Sequence, residues 1–440
     1  MHTHRLNTLL LLASLPLLII AGCSASEGND RHMVDASMCD EDNGGLVLPD
    51  GFCAGVVADS VGRIRHIVVD ANEDIYVIHR RLTDAGGITA LRDTDKDGKA
   101  DSMHSFGAIA GTGLELYDGH LYATTDSSVH RFAFEGDELA PMGDPERIVG
   151  DFPAGQEQQQ HASKAIAFDD AGHLYVNVGA PSNACQEQMR LQGSPGVDPC
   201  PQLERASGVW RFDATTAGQT QEADGHHFST GIRNGLAMAW HPGAGSMYVV
   251  QHGRDQLNTL WPDYYTDEQN AELPAEEMFR LYDGSDFGWP YCYYDQQQEM
   301  KLLSPEYGGN GMEVGRCADT EAPVVAFPGH YAPNDMVFNT QEHFPAHYGN
   351  GAFIAFHGSW NRAPLPQEGY LVAFVPMDAS GEPTGDWEIF ADGFKGADIL
   401  ESPGDAVYRP MGLAFGPHGS LYVTDSMQGR IWRIIHKGME

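Results

Sequence analysis

Basic residues are scarce in this chain. Lysine and arginine number 26 against 62 aspartates and glutamates, a formal charge of −36 over 440 residues. Such a charge repels phosphate backbones and anionic lipid surfaces, so a nucleic-acid partner is not expected, while solubility and cation binding are favoured. Apolar runs are short. Leu9–Ile20 is too short to span a bilayer comfortably, and nothing after it resembles a transmembrane helix. The sequence has no C-x-x-C-H, so no covalently attached haem is expected, and no G-x-S-x-G, which disfavours a serine hydrolase.

What is present begins with a targeting segment. His2, His4 and Arg5 precede the apolar run, which ends in Ile20-Ala21-Gly22-Cys23. That ending reads as a bacterial lipobox: small residues admit the peptidase, and Cys23 would carry the lipid. The alternative is an ordinary signal peptide with a chance cysteine. Ser24, rather than aspartate, points to an outer-membrane destination facing the periplasm or cell surface. Residues 1–22 are therefore expected to be a signal peptide, 23–45 a lipidated tether and 46–440 the functional domain. Six cysteines remain after Cys23. They fall into three close pairs along the chain, and an exported protein meets an oxidising compartment, so Cys39–Cys53, Cys185–Cys200 and Cys292–Cys317 are expected as disulfides.

A short apolar strand, a polar turn and a second strand of the form Leu/Ile/Met-Tyr-Val recur six times: His66–Val77, Gly113–Ala123, Ala165–Val176, Gly235–Val249, Asp335–Ala355 and Gly412–Val423. A strand–turn–strand unit that cannot bury both faces alone must stack on copies of itself. The repeats predict an all-β, six-bladed β-propeller, whose function gathers at one mouth of the central channel. The run Gly51–Ala58 is expected to supply the outer strand of the last blade and close the ring. Long insertions are read after the third repeat (Pro181–His227) and the fourth (Gly253–Pro333), each holding one expected disulfide.

Two kinds of motif could carry chemistry. In Asp93-Thr-Asp95-Lys-Asp97-Gly98-Lys99-Ala-Asp101, alternating carboxylates and the Lys99 carbonyl could wrap a hard cation while Gly98 permits the bend. This EF-loop-like site is assigned a structural Ca²⁺, with an acidic solvated turn as the plain alternative. The second kind lies just ahead of the repeats: Gln160-His161, Gly231-Ile-Arg233-Asn234, His252-Gly253-Arg254-Asp255, His357-Gly-Ser-Trp-Asn-Arg362 and Tyr408-Arg409-Pro410. Singly, each histidine could be a satisfied structural residue, and each arginine a tie between blades. Jointly, the repeat geometry should bring His161, Arg233 and Arg409 to one mouth, an arrangement suited to general-base chemistry on a polarised substrate.

At these residues the chain resembles the PQQ-dependent sugar dehydrogenases, closest to the sorbosone dehydrogenase branch. The resemblance runs from LPDGFCAGVVADSVGRIRHIVVD through GIRNGLAMAWHP, HGRDQL, FGWPYCYYD and HGSWNR to YRPMGLAFGPHGSLYVTD. It implies pyrroloquinoline quinone over the channel, gripped by Ca²⁺. By that resemblance His161 is the general base, and Arg233 and Asn234 lie beside the quinone oxygens. The main-chain carbonyls of Gly253 and Arg254 ligate the cofactor Ca²⁺, Arg409 binds a cofactor carboxylate, and Arg362 stands in for a family lysine. It also implies a sugar or sugar-aldehyde substrate oxidised to lactone or acid, and an external electron acceptor, cytochrome or quinone. The chain departs from the glucose enzymes at Gln160, where they carry an acid, and near Ala110-Gly111, where a cofactor-contacting glutamine has no match. Two other readings stand beside this one. One is a Ca²⁺-dependent propeller lactonase, which would place several carboxylates on a central metal. The other is a glycan-binding lipoprotein without catalysis.

Overall fold

Each Leu-Tyr-Val signature forms the second strand of a blade, and its tyrosine explains the recurrence. Tyr76, Tyr122, Tyr248 and Tyr422 are at most 2 % exposed. Two of their hydroxyls reach into a neighbouring segment: Tyr122 donates to the Ala214 carbonyl at 3.0 Å and Tyr248 to the Gly381 carbonyl at 2.8 Å. The ring fills the wedge between blades while its polar tip finds a partner, which is what a buried tyrosine requires. Burying each such side chain contributes about 1.5–3 kcal/mol.

The computed structural model describes Met1 and residues 36–134, 137–141, 143–154, 160–340 and 344–438. The expected lipobox, Cys23 and most of the tether lie outside the described residues. Residues Val34–Glu440 form one unit and Met1–Met33 another, of which only Met1 is described. Six antiparallel blades follow one another. Their innermost strands are Ile64–Val69, Leu114–Tyr117, Ile166–Phe168, Ala237–His241, Pro333–Asn339 and Pro410–Phe415. The last blade is completed by Phe52–Ala58, which pairs with Ile431–His436 from Phe52 opposite His436 to Ala58 opposite Ile431. This is the expected closing strand.

The apolar cores lie between blades. Successive clusters join blades one and two, two and three, and onward, until Ala414, Tyr422 and Ile431 of the last blade pack with Ile64, Ile67 and Ile75 of the first. A core shared between last and first blades closes the ring, and the all-β six-bladed propeller stands as expected.

The insertions are shorter than the sequence suggested. Gly208–Asp213 and His226–Thr230 are outer strands of blade three, and Glu276–Leu281 and Val325–Phe327 of blade four. These strands lack the tyrosine signature because they face the wide rim of the wedge. What remains inserted packs together: the Cys200 N–H donates to the Tyr291 hydroxyl at 2.8 Å, and Gly196 to the Glu306 carbonyl at 2.9 Å. All three expected disulfides are formed.

Candidate active site

The strand starts of blades three and four deliver their side chains to one place. His161 lies five residues ahead of Ile166, which faces Val176, and Arg233 five ahead of Met238, which faces Val249. Equal register puts both at the same end of the channel, where they line a cavity of about 350 Å³ with Arg190, His252, Asp255, Glu276 and Trp360.

His161 is held by main chain. Its Nδ1 lies 2.6 Å from the Ala180 carbonyl, which can only accept, so Nδ1 carries the proton and Nε2 keeps its lone pair. Burial, and then the charge of Arg233, push its pKa well below the usual 6.5. The ring is therefore neutral near pH 7 and oriented without the acid that Gln160 replaces. The Gln160 Oε1 instead accepts from Arg190 at 3.1 Å.

Arg233 is 3 % exposed, and every N–H of its guanidinium meets a protein acceptor. Nε donates to the Asn183 carbonyl, Nη1 to the carbonyls of His252 and Gly253, and Nη2 to Asn183 Oδ1 and, at 2.9 Å, to Asp255 Oδ2. Burial alone would raise the Asp255 carboxyl, but Arg233, His330 and Arg190 outweigh it and hold it far below the ordinary carboxylate range. Asn234 is buried, and its Oδ1 has no partner among the described residues. Glu276 accepts main-chain N–H groups of Gly253 and Ala332, faces no cation in an ion pair, and is pushed by burial up to about 8. Gly253 and Glu276 both line the cavity and offer oxygen atoms of the kind Ca²⁺ takes. Arg254 turns its side chain away, into a buried pair with Glu306.

The remaining predicted cations separate. Arg362 is a tie: it donates to the carbonyls of Pro366, Ala271 and Gly329 and to Glu272, and does not line the cavity. Its neighbours Trp360 and Asn361 do line it. Arg409 lies over the Tyr370 ring and donates to the carbonyls of His357 and Gly358, leaving Nη1 without an acceptor among the described residues. It belongs to an electrostatic chain in which His357 is depressed by burial and by Arg409, Arg65 and His252.

That chain exposes two residues which sequence reasoning missed. Arg65 and Lys164 each sit two residues ahead of the strand residue facing the signature valine, Ile67 and Ile166. The carbonyl of each accepts a threonine hydroxyl from the preceding blade, Thr424 and Thr124. Arg65 Nε is buried with no acceptor among the described residues, and Nη1 meets only the Met411 sulfur. Burial, and then Arg80, lower the Arg65 pKa to about 10. Lys164 is fully buried, donates only to the Ala162 carbonyl, and is lowered by burial to about 8. Their shared register with the repeats was the signal that could have found them.

Other expected features resolve plainly. The carboxylates of Asp93, Asp95 and Asp97 converge within 4.8 Å, while Asp101 accepts from Thr94 and stands apart from that group. The Lys99 N–H donates to Asp97. The loop joins Gly86–Arg92 to Ser102–Phe106, on the outer part of blade one. Of the aromatic residues in the insertions, Tyr265, Trp289 and Tyr293 are packed inside and Tyr264 is about half exposed, as is Trp360 of the His357–Arg362 motif.

Residues 46–437 match the family described as TrAA12-like. Among curated relatives, an uncharacterized protein of Borreliella burgdorferi is 26 % identical over 47 % of this chain, and the match spans 48 %, about half, of that protein. A pyrroloquinoline quinone-dependent sugar dehydrogenase of Hypocrea jecorina is 22 % identical, covering 88 % of each chain. Among solved structures, the calcium structure of a Trichoderma reesei enzyme of carbohydrate-active family AA12 superposes with a TM-score of 0.72 at 19 % identity, covering 89 % of this chain and 97 % of the other. At that identity the likeness is one of fold.

Proposed function

This chain belongs to the TrAA12-like family, and from that membership we propose that it is a PQQ-dependent dehydrogenase of sugars or sugar aldehydes, yielding lactone or acid. The observation that carries this reading is a pair of arginines just ahead of the inner strands of blades one and six, Arg65 and Arg409, with donors that meet no protein acceptor among the described residues, in a chain of net charge −36. A tricarboxylate cofactor matches those donors, since arginine binds carboxylates through charge-assisted hydrogen bonds. Lys164, at the same register in blade three as Arg65 in blade one, adds a further buried cation. The Gly253 carbonyl and the Glu276 carboxylate would hold Ca²⁺.

When bound, the quinone supplies a two-electron acceptor for hydride leaving the sugar carbon. His161 takes the hydroxyl proton at Nε2, and the Ala180 carbonyl keeps the ring in the tautomer that can do so. Arg233 keeps its positive charge in place without moving, because Asn183 and Asp255 fix it before substrate arrives. Trp360 offers an aromatic face at the cavity's edge for the sugar. Electrons pass on to an external carrier, cytochrome or quinone, outside a cell to which Cys23 would anchor the chain. A lactonase reading is weaker, because the carboxylate of Asp255 is already bound by two arginines.

The test uses chelator-stripped protein with PQQ and Ca²⁺ added separately and together, following dye reduction with aldoses and sorbosone. Sugar-dependent reduction requiring both additions is expected. Full reduction with either alone, or none with both, would remove the proposal.

A further inference from the structure

The loop closed by Cys185–Cys200 inserts one side chain into the cavity that the established motifs do not account for. Arg190 donates from Nη2 to Asp255 Oδ2 at 2.9 Å and to Gln160 Oε1 at 3.1 Å, and from Nη1 to Gln256 Oε1. Those bonds hold the guanidinium at the wall, next to the residue preceding the base. They leave Nε–H and one Nη1–H without a protein acceptor among the described residues, on a side chain 27 % exposed.

The contrast with Arg233 is informative. Both arginines meet the same oxygen, Asp255 Oδ2, while Oδ1 accepts from Asn361. Arg233 has all its donors satisfied by protein, so Asp255 is already neutralised without Arg190. A second arginine on one carboxylate adds a positive charge, and among the described residues Arg190 has no ion pair with any acid other than Asp255. A fixed guanidinium with free donors, facing a cavity, is a receptor for an anion.

We propose that Arg190 binds a carboxylate on the substrate, so that the preferred substrates are acidic sugars such as uronic acids rather than neutral aldoses. This rests on the dehydrogenase reading for turnover, but not for binding. Arg190 lines the same cavity as His161, so a sugar held there by its carboxylate lies against the wall that carries the base. The same chemistry could serve a cofactor carboxylate, and the experiment separates the two.

The experiment has two arms on the full chain loaded with PQQ and Ca²⁺. In the first, kcat/KM is compared for galacturonate against galactose and glucuronate against glucose. The wild type is expected to favour the acid by about 10- to 100-fold, the worth of one charge-assisted hydrogen bond or two. That ratio should fall toward unity in Arg190→Gln and be partly restored in Arg190→Lys. In the second, calorimetric titration with galacturonate is expected to show binding to the wild type and at least tenfold weaker binding to Arg190→Gln, whether or not turnover occurs. Turnover of neutral aldoses with no acid preference and no Arg190-dependent uronate binding would overturn the inference and leave the dehydrogenase intact. Uronate binding without dye reduction by any sugar would do the reverse. A loss of PQQ affinity in Arg190→Gln with the acid-to-neutral ratio unchanged would assign the carboxylate to the cofactor and also overturn it.

Discussion

Blades three and four, and blades six and one, carry the same residue type in opposite conditions ahead of their inner strands. On the side of blades three and four, Arg233 has every donor satisfied by protein and sits against Asp255. On the side of blades six and one, Arg409 and Arg65 keep donors without acceptors, and Arg65 meets a thioether where a carboxylate could be. A buried cation with no acceptor is costly, several kcal/mol where relaxation is incomplete. Its presence in register with the repeats is what the proposed anion seat rests on, whereas the satisfied arginine gives architecture and electrostatic support. Burial alone does not distinguish these roles; the donor inventory does.

Five substitutions follow from that comparison and its surroundings. His161→Gln, on the satisfied side, should have the largest effect, a loss of about 10²- to 10⁴-fold in kcat with PQQ affinity retained; near-native dye reduction would remove His161 as the base. Arg233→Met should next destabilise the fold by about 3–5 kcal/mol, because Asp255 and Asn183 lose their main partner in the interior. Urea denaturation measures this, and a change below 1 kcal/mol would mean that Arg190 suffices.

Arg65→Met and Arg409→Ala should behave differently. Each is expected to weaken PQQ binding about tenfold or more, read by equilibrium dialysis. Stability should hold or rise in Arg65→Met, since a buried unpaired cation is removed. A drop in stability with unchanged PQQ affinity would make Arg65 another Arg233. The smallest effect concerns Glu115 on the innermost strand of blade two, which burial and then Asp335 push up to about 8. Its folded-state pKa exceeds the unfolded value, so its contribution is intact below pH 4.5 and is lost as pH rises through 8. Glu115→Gln should therefore match the wild type in thermal scans at pH 4 and exceed it increasingly toward pH 8. Parallel curves would show that the carboxyl is not held in its neutral form.

Much of this was legible in the chain. The repeated second strands could be read because each must fill the same wedge, and a repeated environment selects a repeated residue, a tyrosine in five of the six. The outer strands could not, for the environment that would select a signature is absent at the wide rim. His161 and Arg233 were legible because they keep a fixed distance ahead of a repeat. Lys164 and Arg65 keep one too, but a lone basic residue beside a strand carries no motif. Arg190 had no such signal, since an insertion has no register to read. Arg362 was misleading for the opposite reason: it stands in a recognisable motif, yet three carbonyls and Glu272 occupy its donors.

The closing strand has a consequence for how the molecule comes to exist. Phe52 faces His436, so the last blade joins segments from opposite ends of the described chain. Contacts of such sequence separation form slowly, because a large loop must close before they return any energy. The antiparallel strands of each of the other five blades come from one stretch of chain and can assemble in order of synthesis, but the sixth waits for the strand Ile431–His436. Arg65 opens the first blade and Arg409 the last, so the anion seat between them comes into being only when this clasp shuts. On the proposed reading, cofactor binding would be coupled to the final event of folding, and a ligand held there would act as a latch on the ring.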